Sequence, residues 1–265
     1  MATIVMIGAG KVSYHLAHRL QACGHQIAQI YSRNKAHAVR VAAFVAAPKL
    51  PSITDDLVAL KTDADLYIIA VSDDALPEIA WQLSAILPLT ATVAHTSGTG
   101  KSITLADYFD NSGVFYPLQS FSYDFLPEFE TLPICIDATN AQVQAVLETV
   151  ANSISNAVYF INDEQRGQLH LAAVFANNFV NRMYAVSEKL LAKQGLDLAI
   201  MLPLITETAR KIQHISPQAA QTGPAVRNDA TTLARHRAYL TVHAPELLPL
   251  YDAATQEIWN NTNRK

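Results

Sequence analysis

The sequence contains few features of a secreted, membrane-spanning or metal-binding protein. It has only two cysteines, Cys23 and Cys135, which lack the spacing of a metal site. Its apolar runs, such as Ala64 to Val71, are too short to cross a bilayer, and no signal peptide opens the chain. These absences predict a protein of a reducing, cytoplasmic compartment that has no membrane partner and no metal site.

Acidic residues are also missing from one part of the chain. No Asp or Glu occurs among residues 1–54, and all 23 acids lie beyond them. The net charge of −4 gives no general attraction to nucleic acid. A local positive excess in an acidic protein instead suggests a small anionic ligand held by the first segment; chance composition is the alternative. The cations of this segment are Lys11, Arg19, Arg33, Lys35, Arg40 and Lys49.

The hydrophobic pattern predicts a doubly wound α/β sheet in the first 160 residues. Half of the 265 residues are hydrophobic and 16% are charged, as in globular proteins. Short β-rich runs alternate with helical stretches, and several runs are continuously apolar, as in strands buried on both faces of a parallel sheet. The predicted strands are Ile4 to Ile7, Gln26 to Tyr31, Leu66 to Val71, Thr92 to His95, Val114 to Tyr116, Ile134 to Ile136 and Ala157 to Phe160. The predicted helices are Val12 to Cys23, Ala36 to Val45, Leu76 to Leu87 and Ala141 to Ser153.

Beyond Asn162 the pattern becomes helical. It predicts a Rossmann-like domain over residues 1–160, followed by an all-helical domain over residues 161–265. The predicted helices of the second part are Asp163 to Lys193, Leu196 to His214, Asp229 to Leu240 and Pro245 to Asn260, with an irregular segment over Ile215 to Asn228.

A glycine turn follows the first strand directly. The segment Gly8-Ala9-Gly10-Lys11-Val12-Ser13 has the spacing of a dinucleotide-binding loop, with Ser13 where Gly or Ala is usual. The first Gly permits the tight turn, and Gly10 lets the backbone approach a pyrophosphate at the helix N-terminus. We therefore predict that Gly8, Ala9, Gly10, Lys11 and Val12 bind a dinucleotide.

The end of the second predicted strand indicates which dinucleotide. An NAD enzyme usually places an acid there to bind the ribose 2′-hydroxyl, whereas this chain has Tyr31-Ser32-Arg33. Ser32 and Arg33 can hydrogen-bond and neutralise a 2′-phosphate, which favours NADP. The alternative is that Arg33 and Lys35 are solvated charges at the start of a helix.

Two later strand ends are expected to complete the cofactor site, because ligands bind at the carboxyl ends of strands in such sheets. Val71, Ser72 and Asp73 end one strand, and Ser97 follows another. Asp73 and its neighbour Asp74 could equally well cap the helix near Leu76.

The long predicted helix carries polar residues on one face. At about 100° per residue, Asn177 and Asn181 each fall within roughly 20° of His170. They face either a site or neighbouring helices that satisfy them. In the first case His170 exchanges a proton with the substrate, and Asn177 or Asn178 orients its oxygen.

A second polar group follows in the segment Thr222-Gly223-Pro224-Ala225-Val226-Arg227-Asn228-Asp229. Arg227 could clamp a substrate carboxylate, while Asp229 either orients Arg227 or caps the next helix.

With these residues assembled, the chain resembles a bacterial family of Rossmann-like oxidoreductases that carry a C-terminal domain of unknown function. The resemblance extends over nearly the whole length and rests on several short motifs. They are Gly8-Ala9-Gly10-Lys11-Val12, Tyr31-Ser32-Arg33, Val71-Ser72-Asp73-Asp74-Ala75, His95-Thr96-Ser97-Gly98, Pro117-Leu118-Gln119-Ser120-Phe121, the run from His170 to Phe179, and Thr222-Gly223-Pro224.

More distantly, the chain is similar to pyrroline-5-carboxylate reductase, 6-phosphogluconate dehydrogenase and deazaflavin-dependent NADP oxidoreductase. This resemblance implies a 6-phosphogluconate dehydrogenase-like arrangement with the substrate between the domains, and a homodimer formed by the helical domain. Some of these relatives use a Lys with an Asn one turn later, whereas this chain has His170 and Val174 in their places.

These observations predict an NADP-dependent oxidoreductase that transfers a hydride to or from a small, anionic carbonyl, imine or hydroxy compound. The alternative is a non-catalytic module that senses NADP(H).

Overall fold

The computed structural model describes residues 1–45 and 50–262, so Lys49 lies outside the described residues. The chain divides into two compact units, Met1–Arg182 and Met183–Lys265. The sheet predicted for residues 1–160 lies wholly within the first unit. The predicted domain boundary near residue 160 stays a prediction.

Within the described residues, eight strands form one sheet in the order β3-β2-β1-β4-β5-β6-β7-β8. Neighbours are parallel except for the antiparallel pair β6 and β7. The order reverses at β1, which lies between β2 and β4, and such a switch point is where doubly wound sheets bind ligands. The strands are β1 Thr3–Ile7, β2 Gln26–Tyr31, β3 Ser52–Thr54, β4 Leu66–Ile69, β5 Val93–His95, β6 Ser112–Pro117, β7 Ile134–Ala138 and β8 Val158–Phe160.

The central strands are buried on both faces, as their continuous apolar runs predict. Met6 and Ile68 belong to one buried cluster, while Val5 and Tyr67 belong to another. Since alternate residues of a strand point to opposite faces, the two clusters are the cores on either side of the sheet. This burial fixes the register that brings the carboxyl ends of β1, β4 and β5 to one edge.

Helices connect the strands of the first unit, with bounds close to those predicted. They are α1 Lys11–Ala22, α2 Lys35–Val45, α3 Leu76–Ser84, α4 Ile103–Ala106, α5 Ala141–Ile154 and α6 Asp163–Ala173. Asn162 begins α6 with a capping box, in which its side chain accepts from the Gln165 N–H and the Gln165 side chain accepts from the Asn162 N–H. The short strand β3 and the one-turn helix α4 are absent from the prediction.

The long helix predicted over Asp163 to Lys193 is interrupted. A π-helical segment, Val174–Phe179, separates α6 from α7 Val180–Ala192. The wider turn changes the angle between successive side chains, so the 100° spacing used for His170 and Asn181 does not hold across it. The angular positions of Asn177 and Asn181 relative to His170 therefore depart from those of a regular helix, and their place on one shared face stays a prediction.

The second unit is helical over its described residues 183–262, as the sequence predicts. It contains the last ten residues of α7, then α8 Leu202–Lys211, α9 Pro217–Ala220, α10 Ala230–His243 and α11 Leu248–Thr262. Leu240, Ala244 and Leu247 form its buried core. No helix among the described residues is long and apolar enough to cross a membrane.

Candidate cofactor and active site

The turn after β1 has room only for glycine at its first position. Gly8 has φ +101°, and a Cβ added there would stand 2.3 Å from the carbonyl oxygen of Ala70. Ser13 is fully buried behind the turn, and its hydroxyl donates to the Gly8 carbonyl at 2.7 Å. The small side chain at the third position thus fits between helix and strand, and its hydroxyl also binds the loop, which the sequence did not predict.

Gly10 is different, because nothing lies within 4 Å of a Cβ added there. It is the N-cap residue of α1 and, being glycine, has no side chain that could cap the N–H groups of the first turn. The first turn also contains no acid. The free N–H groups of a helix N-terminus beside an open approach suit an anion such as a pyrophosphate.

A cavity of about 590 Å³ lies over this turn. Its volume is within the range of small-molecule and cofactor sites. It is lined by every residue predicted to bind the cofactor: Gly8, Ala9, Gly10, Lys11, Val12, Ser32, Arg33, Val71, Ser72, Asp73 and Ser97. The sequence prediction missed several other lining residues, including Asn34, His37, Thr96 and Gly98.

Acidic residues that are distant from Arg33 in the sequence lie near it in the structure. Arg33 also lines a smaller cavity of about 320 Å³, together with Asp55, Asp56 and Glu78. Strand β3 pairs with β2 and ends at Thr54, so Asp55 and Asp56 emerge beside the end of β2. Although residues 1–54 contain no acid, acids from later in the chain line the cavity at this end of the site.

The segment after β5 folds into a tight loop at the edge of the larger cavity. The Ser97 hydroxyl accepts from the N–H groups of Thr99 and Gly100 at 3.1 and 2.6 Å. The Thr99 hydroxyl donates to the carboxylate of Asp73, which joins this loop to the one after β4. Asp73 and Asp74 make no side-chain cap to α3, so capping is not their role.

The first turn of α6 holds the same loop from the other side. The buried guanidinium of Arg166 donates to the Gly100 carbonyl and, at 2.6 Å, to Asp163. Asp163 also accepts from the N–H and hydroxyl of Ser102. Although burial raises the pKa of Asp163, the bonds from Arg166 and Ser102 outweigh it and lower the pKa overall. A charged clamp therefore fixes residues 100–102 to α6.

His170 lies one turn further along α6 and faces the loop. A Cβ on Gly98 would stand 2.5 Å from His170 Nδ1 and 3.0 Å from the ring of Tyr116. The Tyr116 hydroxyl lies 3.1 Å from His170 Nδ1. Tyr116 is the next-to-last residue of β6, so the rule that sites lie at carboxyl ends of strands could have marked it as a site residue, although not as the partner of His170.

A second cavity, of about 460 Å³, adjoins the cofactor cavity at a shared lining residue. His170 lines both cavities, and Asn177 and Asn178 line the second one with Tyr116. The π-helical segment, which carries both asparagines, is a feature found often at functional sites. Asn177 and Asn178 are exposed, so they do not need protein partners in the way that a buried ridge would.

Three of the four predicted catalytic residues thus share one cavity of the first unit, and Arg227 belongs to the second unit. Arg227 is exposed, and its role as a carboxylate clamp stays a prediction. Asp229 caps α10, since its carboxylate accepts from the Thr232 N–H at 3.0 Å.

The sheet order, the glycine turn at the switch point and the cavity above it define a Rossmann-like nucleotide-binding protein with a helical C-terminal region. Residues 2–117 match the model of a Rossmann-like domain, and residues 132–258 match that of a domain of unknown function, DUF2520. A structure from Bacteroides fragilis, provisionally named an NADP oxidoreductase, is 37% identical, with 98% of each chain covered and a TM-score of 0.91. The chain belongs to this family of Rossmann-like oxidoreductases with a DUF2520 domain.

More distant structures share the fold. Pyrroline-5-carboxylate reductase from Coxiella burnetii is 14% identical, with 98% of this chain and 97% of that chain covered and a TM-score of 0.61. A reductive aminase from Aspergillus terreus, in complex with NADPH and ethyl-5-oxohexanoate, is 14% identical, with 97% and 94% covered and a TM-score of 0.68. No curated protein matches the sequence.

Proposed function

We propose that this chain is an NADP(H)-dependent oxidoreductase acting on a small carbonyl, imine or hydroxy compound. The observation that carries the proposal is that the cofactor cavity and the second cavity share a lining residue able to exchange a proton. One cavity is lined by the glycine turn, Ser32, Arg33 and His170, and His170 also lines the second cavity. Binding at the first cavity would therefore bring a nicotinamide ring towards a proton-exchanging side chain. Membership of the oxidoreductase family points in the same direction.

The residues divide the work between binding and proton transfer. The N–H groups at the start of α1 hold the pyrophosphate, and Ser32 and Arg33 hold the 2′-phosphate, with Asn34 and His37 alongside. The cofactor, when bound, supplies or accepts the hydride. His170 exchanges the proton with the substrate oxygen or nitrogen, and Asn177 or Asn178 orients that group by hydrogen bonding.

The test combines calorimetry with a turnover screen. Purified chain should release or absorb heat on titration with NADPH, and a panel of keto acids, aldehydes and imines should include a compound that causes loss of NADPH absorbance. His170→Ala should abolish that turnover while binding NADPH nearly as well. The matched control is His214→Ala, which changes an exposed histidine outside both cavities. Tight binding without turnover for any compound would instead favour a sensor, and no heat with NADPH or NADP would refute the proposal.

We also propose that the active form is a homodimer. Large apolar side chains are exposed along the helical part, among them Phe175, Ile200, Leu202, Leu204 and Ile212. Exposed apolar residues concentrated in one stretch, as over residues 200–212, favour an association surface, and a second copy of the chain is the partner that symmetric oligomers use.

A further inference from the structure

The contact between Tyr116 and His170 determines which ring nitrogen of His170 is free. Tyr116 Oη lies 3.1 Å from Nδ1. Among residues 1–45 and 50–262, Tyr116 is the one hydrogen-bond partner of this imidazole. Both residues line the second cavity, and Gly98 packs against them without a Cβ. Nε2 is therefore the nitrogen left to meet a ligand.

The direction of this hydrogen bond follows from the chemistry of the two groups. Burial is the main reason that the pKa of Tyr116 rises to about 12, so its hydroxyl keeps its proton at neutral pH. The hydroxyl can donate or accept, whereas an imidazole nitrogen is an acceptor only when it carries no proton. A phenol is a good donor and a weak acceptor, and an imidazole lone pair is a good acceptor. The favoured arrangement has Tyr116 donating to an unprotonated Nδ1.

We propose that Tyr116 is a positioning residue that holds neutral His170 in its Nε2–H tautomer. In this tautomer Nε2 is a hydrogen-bond donor, and the histidine is ready to give a proton to a substrate oxygen or nitrogen. The catalytic consequence rests on the proposed function, but the tautomer itself does not.

The proton balance in the reducing direction is simple. NADPH, when bound, would supply the hydride that reduces the carbonyl or imine carbon. On the protein side the Nε2–H bond of His170 breaks, and an O–H or N–H bond forms on the substrate. As Nε2 loses its proton, Nδ1 takes the hydroxyl proton of Tyr116, so that no imidazolate anion forms. Nε2 then takes a proton from solvent water and Nδ1 returns its proton to the tyrosinate, which restores the Nε2–H tautomer. Tyr116 acts only through His170 in this scheme.

The experiment is an NMR measurement of the histidine tautomer at neutral pH, on full-length protein labelled with ¹⁵N at histidine. Long-range ¹H–¹⁵N correlations distinguish the protonated from the unprotonated ring nitrogen, and the His170→Gln variant identifies the signals that belong to His170. The expected result is a protonated Nε2 and an unprotonated Nδ1 in the parent protein. Tyr116→Phe should shift this towards a mixture of tautomers. Tyr159→Phe, an exposed tyrosine on β8, should leave it unchanged.

Two results would overturn the proposal: a protonated Nδ1 in the parent protein, or an unaltered tautomer in Tyr116→Phe. Neither measurement uses cofactor or substrate, so a failure of the proposed function is a separate outcome. Where turnover is found, Tyr116→Phe should lower kcat on the order of 10-fold with an unchanged KM for NADPH, and His170→Ala should lower it ~100-fold or more. A Tyr116→Phe enzyme with unchanged kcat would also contradict the proposal.

Discussion

A Cβ added to Gly98 would stand 2.5 Å from Nδ1 of His170, so the histidine packs directly on glycine backbone. Real Cβ atoms do not come this close to other heavy atoms, and the imidazole has little freedom to move because Tyr116 lies on the same side. Gly98→Ala should therefore displace His170 and break its bond to Tyr116. The expected result is a large loss of kcat, on the order of that in His170→Ala, in a protein that still binds NADPH.

Crystallography of Gly98→Ala and its NADPH affinity would check this prediction. Gly167→Ala is the matched control, because a Cβ there meets nothing within 4 Å. An undisturbed imidazole with full activity in Gly98→Ala would show that the close packing has no functional role.

The two glycines of the first turn should respond differently to alanine. Gly8→Ala combines a positive φ with a contact of 2.3 Å to backbone, so it should lower the free energy of unfolding by at least about 2 kcal/mol. Gly10→Ala meets no protein atom and should leave stability almost unchanged, yet it should weaken NADPH binding because the methyl group occupies the approach of the pyrophosphate. Chemical denaturation and calorimetry together test the pair. Tight NADPH binding by Gly10→Ala would remove the argument for this loop as the phosphate site.

Arg33 should determine the preference for NADP(H) over NAD(H). Loss of a charge-assisted bond to the 2′-phosphate should weaken NADPH binding by ~10-fold or more in Arg33→Ala, with little effect on NADH. Arg40→Ala is the control, since Arg40 lies over the Tyr123 ring and outside the cofactor cavity. Asp55→Asn should have the opposite effect to Arg33→Ala, because it removes a negative charge from the cavity that Arg33 shares. Equal losses for both dinucleotides in Arg33→Ala would refute this assignment.

The cofactor loop could be predicted from the sequence because its signals are local. The tight turn at Gly8 and the apolar run of β1 depend on neighbouring residues alone, and all the predicted cofactor residues line one cavity. The short strand β3 has little local signal, since Ser52 is exposed and Ile53 only partly buried. Missing β3 also concealed Asp55 and Asp56 beside Arg33.

The second cavity depends on contacts between distant parts of the chain. The hydrogen bond between Tyr116 and His170 joins residues that are 54 positions apart, and no local sequence pattern predicts it. The π-helical segment similarly alters the direction of Asn177 and Asn178 in a way that a regular helical repeat cannot reproduce. His170 could be identified from its residue type and its place on the predicted helix. Tyr116 could be recognised as its partner only from the fold.

The proposed homodimer predicts a measurable change of mass. Light scattering after size-exclusion chromatography should give twice the mass of one chain. Ile200→Glu combined with Leu204→Glu places charges on exposed apolar positions of the helical part and should give monomers. Val58→Glu, at a position 79% exposed in the first unit, should remain dimeric. A parent protein that is monomeric at high concentration would contradict the proposal.

His95 should make stability depend on acidity. Burial, and then the positive charge of Arg166, lower the pKa of His95 to about 4 in the folded chain, compared with about 6.5 when unfolded. The folded state thus binds the proton more weakly. The stability contributed by neutral His95 is complete above pH ~6.5, and it is lost as the pH falls from ~6.5 to ~4, by about 3 kcal/mol in all. His95→Asn keeps an acceptor for the Ser97 N–H, which bonds His95 Nδ1 at 3.2 Å, but cannot take up this proton. Its free energy of unfolding should fall less than that of the parent between pH 7 and 4.5, whereas His214→Asn should follow the parent. Equal pH dependence in the parent and His95→Asn would mean that His95 does not carry the depressed pKa.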